Sequence, residues 1–491
     1  MSIRDNAVVP VRRGLGMWMA TALVVGNMIG SGIFLLSSAL AGYGGISILG
    51  WLFTAAGAML LALVFARLSR AFPRTGGPYA YSRRAFGDFI GFLTAWGYWI
   101  AAWVGNAAIA VAFVSYLGYY EAFDALNSNR VLAATVAIAA VWVLTFVNLF
   151  GVRSGGVVQL VATVLKFLPL LALALVGIFF INADNFGGFN RSGGSGFGAL
   201  TAVAALTLWS FIGVESATVP AEDMQNPRRT IPRATIIGTA VTAVVYILGT
   251  VAVMGILPAS TLADSGAPFA DAADSAFGGW AGPVIAAAAV VSAFGCLNGW
   301  ILLQAQVPLA AARDNLFPRF FGRTTRSGTP VGGLVVSSLL ITVLTIFNYN
   351  ASLVDQFTFV ILLATLTTLI PYVLSAAAQL LLLVTDRAKF EVRRLAGHAT
   401  VAALALAYAI WTVAGSGYEV VYKGFLLLLL GIPVFLGMRY AAARRGRHVV
   451  ATGLAESVAE HGDELNLPAD LDAALADLIE GERRKLEQER K

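Results

Sequence analysis

The sequence predicts an all-α polytopic membrane protein with about twelve transmembrane helices. Three observations carry that expectation. The 491 residues are 58% hydrophobic and only 12% charged, with a mean hydropathy of +0.77, well beyond what a soluble core requires. Apolar segments on the order of 20 residues, the length that crosses a hydrocarbon core, recur almost from end to end. They lack the short alternating pattern of a transmembrane barrel, so their backbone groups must be satisfied within helices.

In chain order, the start MSIRDNAVVPVRRG is charged and has no apolar core followed by a small-residue cleavage site, so 1–16 reads as a retained cytoplasmic segment. Spans are expected at 17–44, 45–69, 89–118, 131–150, 156–182, 197–220, 231–257, 279–310, 331–348, 353–384, 396–415 and 419–440. The transmembrane domain therefore covers 17–440, and a charged cytoplasmic tail covers 441–491. In that tail Leu471, Leu475, Leu478 and Leu486 fall near helical spacing among charged residues, the pattern of a short amphipathic helix.

Short cytoplasmic loops accumulate Lys and Arg, and here the basic residues keep one parity. Arg12 and Arg13 precede the first span. Arg67, Arg70, Arg74, Arg83 and Arg84 follow the second, and Arg228, Arg229 and Arg233 the sixth. Arg313, Arg319, Arg323 and Arg326 follow the eighth, and Arg387, Lys389, Arg393 and Arg394 the tenth. Intervening loops are acidic or neutral, as with Asp264, Asp271 and Asp274. Both termini are therefore expected in the cytoplasm, in a multi-pass protein of the inner (plasma) membrane. Topology thus accounts for the formal charge of +6 without a nucleic-acid partner. One cysteine, Cys296, excludes an intrachain disulfide, and His398, His448 and His461 lack ligand spacing. No metal or cofactor is expected.

The first span contains Gly26-Asn27-Met28-Ile29-Gly30-Ser31-Gly32-Ile33-Phe34. Glycine weakens a helix, so three in seven residues mark a place where this one can unwind. Freed backbone groups are tolerated in a bilayer only where they are buried in protein or line a cavity. Close helix packing through small residues explains this stretch alone about as well. The sixth span tips the balance, because Thr207-Leu208-Trp209-Ser210-Phe211-Ile212-Gly213-Val214-Glu215-Ser216 is a second polar, glycine-containing interruption. Paired interruptions are the best sequence pointer to inverted repeats. Five spans separate the two, which predicts repeats over about 17–182 and 197–384 with helices eleven and twelve appended. An odd repeat size forces inverted topology. Half-helix N-termini would then face an anion such as a carboxylate.

GNMIGSGIF, GGPYAYSRRAFG, Tyr98-Trp99 followed by Gly105-Asn106, WSFIGVES, Asn226-Pro227-Arg228-Arg229 and Gly299-Trp300 together resemble the amino acid–polyamine–organocation superfamily. The likeness covers roughly 15–440 and is strongest to its basic amino acid/polyamine antiporters, the bacterial arginine/agmatine exchangers foremost. It implies a LeuT-like five-plus-five inverted repeat with discontinuous helices 1 and 6, working by alternating access. It also implies that Asn27, Met28, Ser31, Gly32 and Ile212 surround the substrate α-carboxylate and α-amino group. Carbonyls of Met28 and Ile212 would receive the ammonium. The same resemblance gives Trp300 to stacking on the substrate side chain, Asn106 to its distal end, and Trp209 to outer closure. Ala101, Ala102 and Ala364 would complete the side-chain subsite, and Tyr98, Glu215 and Tyr372 an inner gate. Ala102 and Ala364 stand where the family carries a cysteine and a serine, which leaves this subsite less polar.

The residues agree in kind. Tryptophan is the best cation–π partner, and a buried asparagine has both a donor and an acceptor to offer. Tryptophan is also a common interfacial anchor, but Trp209 and Trp300 lie well inside their spans. Trp96, Trp99, Trp103 and Trp411 read as packing or belt residues. Lys166, in VATVLKFLPLL, lies too deep to snorkel easily. Sodium-independent relatives carry a similar lysine, where the amine resembles a substitute for the sodium ion of LeuT-like symporters.

The expected activity is exchange of a cationic amino acid for a related amino acid or amine. Proton-coupled or sodium-independent uptake of neutral amino acids is the alternative, favoured by Lys166 and Ala364. A passive channel would show repeated carbonyl or charge rings, and an enzyme would need a nucleophile, base or metal cluster. The partners are a small amino acid or amine, the lipid bilayer and, as one option, a second copy in a homodimer.

Overall fold

Each of the twelve apolar stretches contains a helix. The computed structural model describes residues 15–149, 155–221, 224–325, 329–349, 352–391 and 394–444, the side chains of 155–165 excepted. Nearly all of the N-terminal segment, the tail beyond residue 444 with its leucine pattern, and Arg12, Arg13, Arg326, Arg393, His448 and His461 lie outside the described residues. Residues through Leu429 form one compact unit; a second begins at Leu430, and its described part is a helix over 431–444.

The first apolar stretch folds as two helices, α1 (Met17–Met28) and α2 (Ser31–Ala41), parted at Ile29 and Gly30. Then come α3 (Ile46–Ala71) and the short α4 (Pro78–Phe86). Pro78 suits the first helical position of α4, since its missing N–H would be an orphan there anyway. Next are α5 (Asp88–Leu117), α6 (Ala125–Ser128), α7 (Arg130–Leu149) and α8 (Gly155–Val176). α9 (Gly196–Leu208) gives way to a 3-10 turn at Trp209–Phe211, a non-helical link and a second 3-10 turn at Ser216–Thr218. α10 (Pro227–Ile256) starts four residues before the expected span, because Asn226, held at φ 48°, and Pro227 make a natural helix start. The remainder is α11 (Ala259–Asp264), α12 (Pro268–Phe277), α13 (Ala281–Arg313), α14 (Val331–Asn348), α15 (Leu353–Thr385), α16 (Leu395–Val413) and α17 (Tyr418–Leu429).

Among the described residues, ten helices are long and apolar enough to cross a membrane, and the apolar segment Gly196–Phe211 is shorter. This is an all-α polytopic membrane protein. Burial separates centre from periphery: the apolar windows of Met17–Ala41 and Asp88–Leu117 are 89% buried, those of Val331–Asn348 and Leu395–Ser416 only 33%. α5 packs most extensively on α13 and α15, and α3 on α10. Phe179, Phe347 and Val384 on the outside are exposed, as lipid-facing side chains must be. The broken helices therefore occupy the middle of the bundle.

Candidate functional site

The break at Ile29 and Gly30 frees the carbonyls of Gly26, Asn27 and Met28 from their helical donors, and each finds another. Val25 O keeps its helical bond from Ile29 N, whereas Gly26 O accepts from Lys166 Nζ at 2.5 Å. Asn27 O accepts from Trp300 Nε1 at 3.3 Å, and Met28 O from Gly30 N and the Tyr246 hydroxyl. The donors come from α8, α13 and α10. Amides in the first turn of α2 have no preceding carbonyl to use, and its N-cap, Gly30, offers no side-chain acceptor.

The second break lies directly against the first. A Cβ on Gly32 would stand 2.6 Å from Ser210 Oγ and 3.2 Å from Ser210 Cα, so only glycine permits this approach. Gly213, at φ +109°, takes a conformation open to glycine alone and packs on the Asn27 backbone. Asn27 Nδ2 donates to Ser216 Oγ at 2.9 Å, tying one break to the other.

Between the breaks is a cavity with about 350 Å³ of empty space, its mouth included. Nine residues singled out from sequence line it: Asn27, Met28, Ser31, Gly32, Ala101, Ala102, Trp209, Ile212 and Trp300. Asn106 and Ala364 do not. Asn106 is fully buried and donates through Nδ2 to Gln304 Oε1 at 2.8 Å; Ala364 approaches the Gly105 position from α15. Gly30 of the first break lines it as well, and so do Gly105, Ile109 and Cys296, which no motif places there. The signal was available in the helical rows Ala102–Gly105–Ile109 and Cys296–Trp300, each at i, i+3, i+4 or i+7 spacing.

The polar character of the cavity is uneven. Ser31 Oγ and Ser210 Oγ are buried without partners, so the two breaks carry unused hydrogen-bonding capacity beside the α2 amides. The Met28 carbonyl, expected to receive a substrate ammonium, has both lone pairs taken by Gly30 N and Tyr246 in this conformation. The opposite wall, Ala101, Ala102, Gly105 and Ile109, is apolar, and the Trp209 ring packs against Gly105.

On the α4 side of the cavity, Glu215 is fully buried. Tyr98 OH donates to its Oε1 and Tyr372 OH to its Oε2, each at 2.6 Å, and Gly213 N reaches Oε2 at 3.3 Å. One carboxylate thus joins α5, α15 and the second break. Farther toward α4, Tyr79 donates to Asp314 at 2.7 Å, and Arg83 pairs with both Asp314 (2.7 Å) and Asp88 (3.0 Å). Burial and the Asp314 carboxylate hold the Tyr79 hydroxyl well above its ordinary phenol range. Gln225 N donates to Leu15 O at 2.9 Å, adding a backbone tie on the same side.

Lys166 is buried beside the first break with its amine on the Gly26 carbonyl. Trp96 and Trp99 pack with Phe317 and donate to Leu427 O and Ser337 Oγ, which makes them packing residues.

Two interrupted helices enclosing a small central cavity, within a bundle of this size, suit a carrier of small solutes. The pattern of the amino acid permease family matches residues 15–435. The chain belongs to the amino acid permease family. It is 38% identical over 364 residues to the cadaverine/lysine antiporter of Escherichia coli K12, covering 73% of this chain and 81% of that one. It is 33% identical to the arginine/ornithine antiporter of Pseudomonas aeruginosa PAO1, with 88% and 96% covered. The putrescine transporter PotE of Escherichia coli K12 is 32% identical, with 86% and 95% covered. The chain is accordingly a membrane transporter and not an enzyme. Its membership in the basic amino acid/polyamine antiporters agrees with the motifs in its sequence.

Proposed function

We propose that this permease exchanges a cationic amino acid for a related amino acid or amine by alternating access. The observation that carries the reading is the cavity held between two helix breaks and lined by the start of α2, with its uncapped amides, and by the indole rings of Trp209 and Trp300. The amides at Ser31 and Gly32 receive the α-carboxylate, where a helix N-terminus favours negative charge. Trp300 offers a π face to the cationic side chain and Trp209 covers it on the side away from α4. Tyr98, Glu215 and Tyr372 close the cavity on the α4 side, and Lys166 occupies the place of a coupling cation. The three relatives are named for cationic amino acids or their amines, which supports the same class here. A second, wider cavity at the far end of α5 supports it too, since Asp124, Asp264, Asp271 and Asp355 face one arginine, Arg130, on its wall.

The two halves, 17–182 and 197–384, form the inverted repeat, and α4, with the basic ends of α3, α10, α13 and α15, faces the cytoplasm of a bacterial inner membrane. Uptake of neutral amino acids is favoured by Lys166 and by the apolar wall at Ala101 and Ala102. The test is sodium-free proteoliposomes with labelled lysine, arginine, ornithine, cadaverine, putrescine and leucine, with and without internal substrate. Rapid uptake that requires internal cationic substrate supports exchange. Equal uptake of leucine without internal substrate would overturn it.

A further inference from the structure

We propose that Gln304 is a positioning residue that fixes the orientation of Asn106 and so sets the preference for a substrate side chain ending in N–H donors. This rests on the cationic-exchange reading above. Asn106 follows Gly105 on α5 and shares a helical row with Ala102 and Ile109, all three of which line the cavity. Gln304 is the next member of the Cys296–Trp300 row on α13, both of which line it too. Neither amide is exposed at all, and they meet through Asn106 Nδ2 and Gln304 Oε1 at 2.8 Å. That bond leaves two buried atoms without any partner, Asn106 Oδ1 and Gln304 Nε2.

A buried carboxamide left half satisfied is costly, and native structures keep one where a ligand completes it. The orientation decides which ligand that is. With one Nδ2 hydrogen committed to Gln304, the atom that Asn106 leaves unpartnered is its Oδ1 acceptor, which complements an ammonium or guanidinium and not a methyl group. Without Gln304 the Asn106 amide can turn over and present its N–H₂ donors instead. The side chain at 304 thereby acts on the substrate through Asn106.

The experiment measures dissociation constants of lysine and its uncharged isostere norleucine on purified full-length protein carrying Gln304→Met, Gln304→Glu, Asn106→Leu, and Asn106→Leu with Gln304→Met. Gln304→Met is expected to lower the lysine-to-norleucine preference about tenfold or more, the worth of one hydrogen bond to a charged group. Gln304→Glu, which can only accept, keeps Asn106 donating and preserves the preference. In the Asn106→Leu background Gln304→Met is expected to add nothing. A preference unchanged in Gln304→Met, or losses that add in the double variant, overturns the proposal while leaving cationic exchange intact. If Gln304→Met does not fold, loss of the preference in Gln304→Glu overturns it as well. A wild type with no preference for lysine overturns both readings.

Discussion

Tyr372→Phe deletes one of the two phenol donors on Glu215 and keeps the ring that packs edge-on against Phe65, 5.4 Å between centroids. The hydrogen bond is short, at 2.6 Å, and its acceptor is a carboxylate with no solvent exposure, so its loss should cost about 1.5–3 kcal/mol. The cost falls on the closed arrangement alone. In the proposed gate α5, α15 and the second break part on opening toward α4, and water can then satisfy the same oxygen. The open population should then rise about 10- to 150-fold relative to the closed one. Cys296 is the single cysteine of the chain, lines the cavity and is 2% exposed, so its alkylation reports opening without any engineered label. In proteoliposomes sorted by orientation, a membrane-impermeant maleimide offered on the α4 side should label Tyr372→Phe at least about tenfold faster than wild type. Labelling from the opposite side should not accelerate. Tyr98→Phe should behave alike. If neither variant nor the pair together labels more than about threefold faster, the Tyr98–Glu215–Tyr372 layer does not hold the cavity shut.

Gly32→Ala should weaken substrate binding at least about tenfold, because its Cβ would press on Ser210 at 2.6 Å, whereas Gly295→Ala, with open space around it, should not. Calorimetry on both variants checks this, and equal affinities would remove the close approach of the breaks from the binding argument. Trp300→Leu should weaken cationic ligands by ~0.5–2 kcal/mol more than neutral ones of similar size, and equal losses would assign the ring to packing. Wild-type exchange should proceed in full without sodium, while Lys166→Met, which removes the donor to the Gly26 carbonyl, should lose most of its rate. Strict sodium dependence of the wild type, or a fully active Lys166→Met, would take Lys166 out of the mechanism.

The spans were readable because bilayer-length apolar runs are a strong, local signal, and both breaks were readable because glycine and polar residues interrupt that signal. α4 was not, since nine residues with Gly76, Gly77 and Pro78 at their head look like a loop until they dock. Within the site, residues named from the family pattern largely lie together around one cavity. What sequence could not show was which atoms are already committed. Asn27 spends its Nδ2 on Ser216, Met28 O is taken by Tyr246, and Asn106 is turned toward Gln304. Those partners lie between about 189 and 218 residues away in the chain, so no local pattern contains them. Cys296 and Ile109 were missed for another reason: apolar and thiol side chains that line a cavity look the same in sequence as those that fill a core.

The way the first break is fastened bears on how binding can become movement. Its carbonyls at Gly26, Asn27 and Met28 are held by side chains from α8, α13 and α10, and its asparagine by the second break. A neutral hydrogen bond of this kind nets about 0.5–1.5 kcal/mol and one from a lysine ammonium about 1.5–3, so none is strong enough to lock the helix alone. Together they mean that α1 cannot shift relative to α8, α10 and α13 without exchanging several partners at once. A substrate that engages the Trp300 indole in the proposed site would compete with the Asn27 carbonyl for its donor and change that balance by an amount of the same order. A ligand shifts a conformational equilibrium only by its differential affinity for the two states, and groups already shared between helices are where such a difference arises. The break is therefore suited to couple occupancy to helix position, whereas a loosely looped binding site would accept the substrate and move nothing.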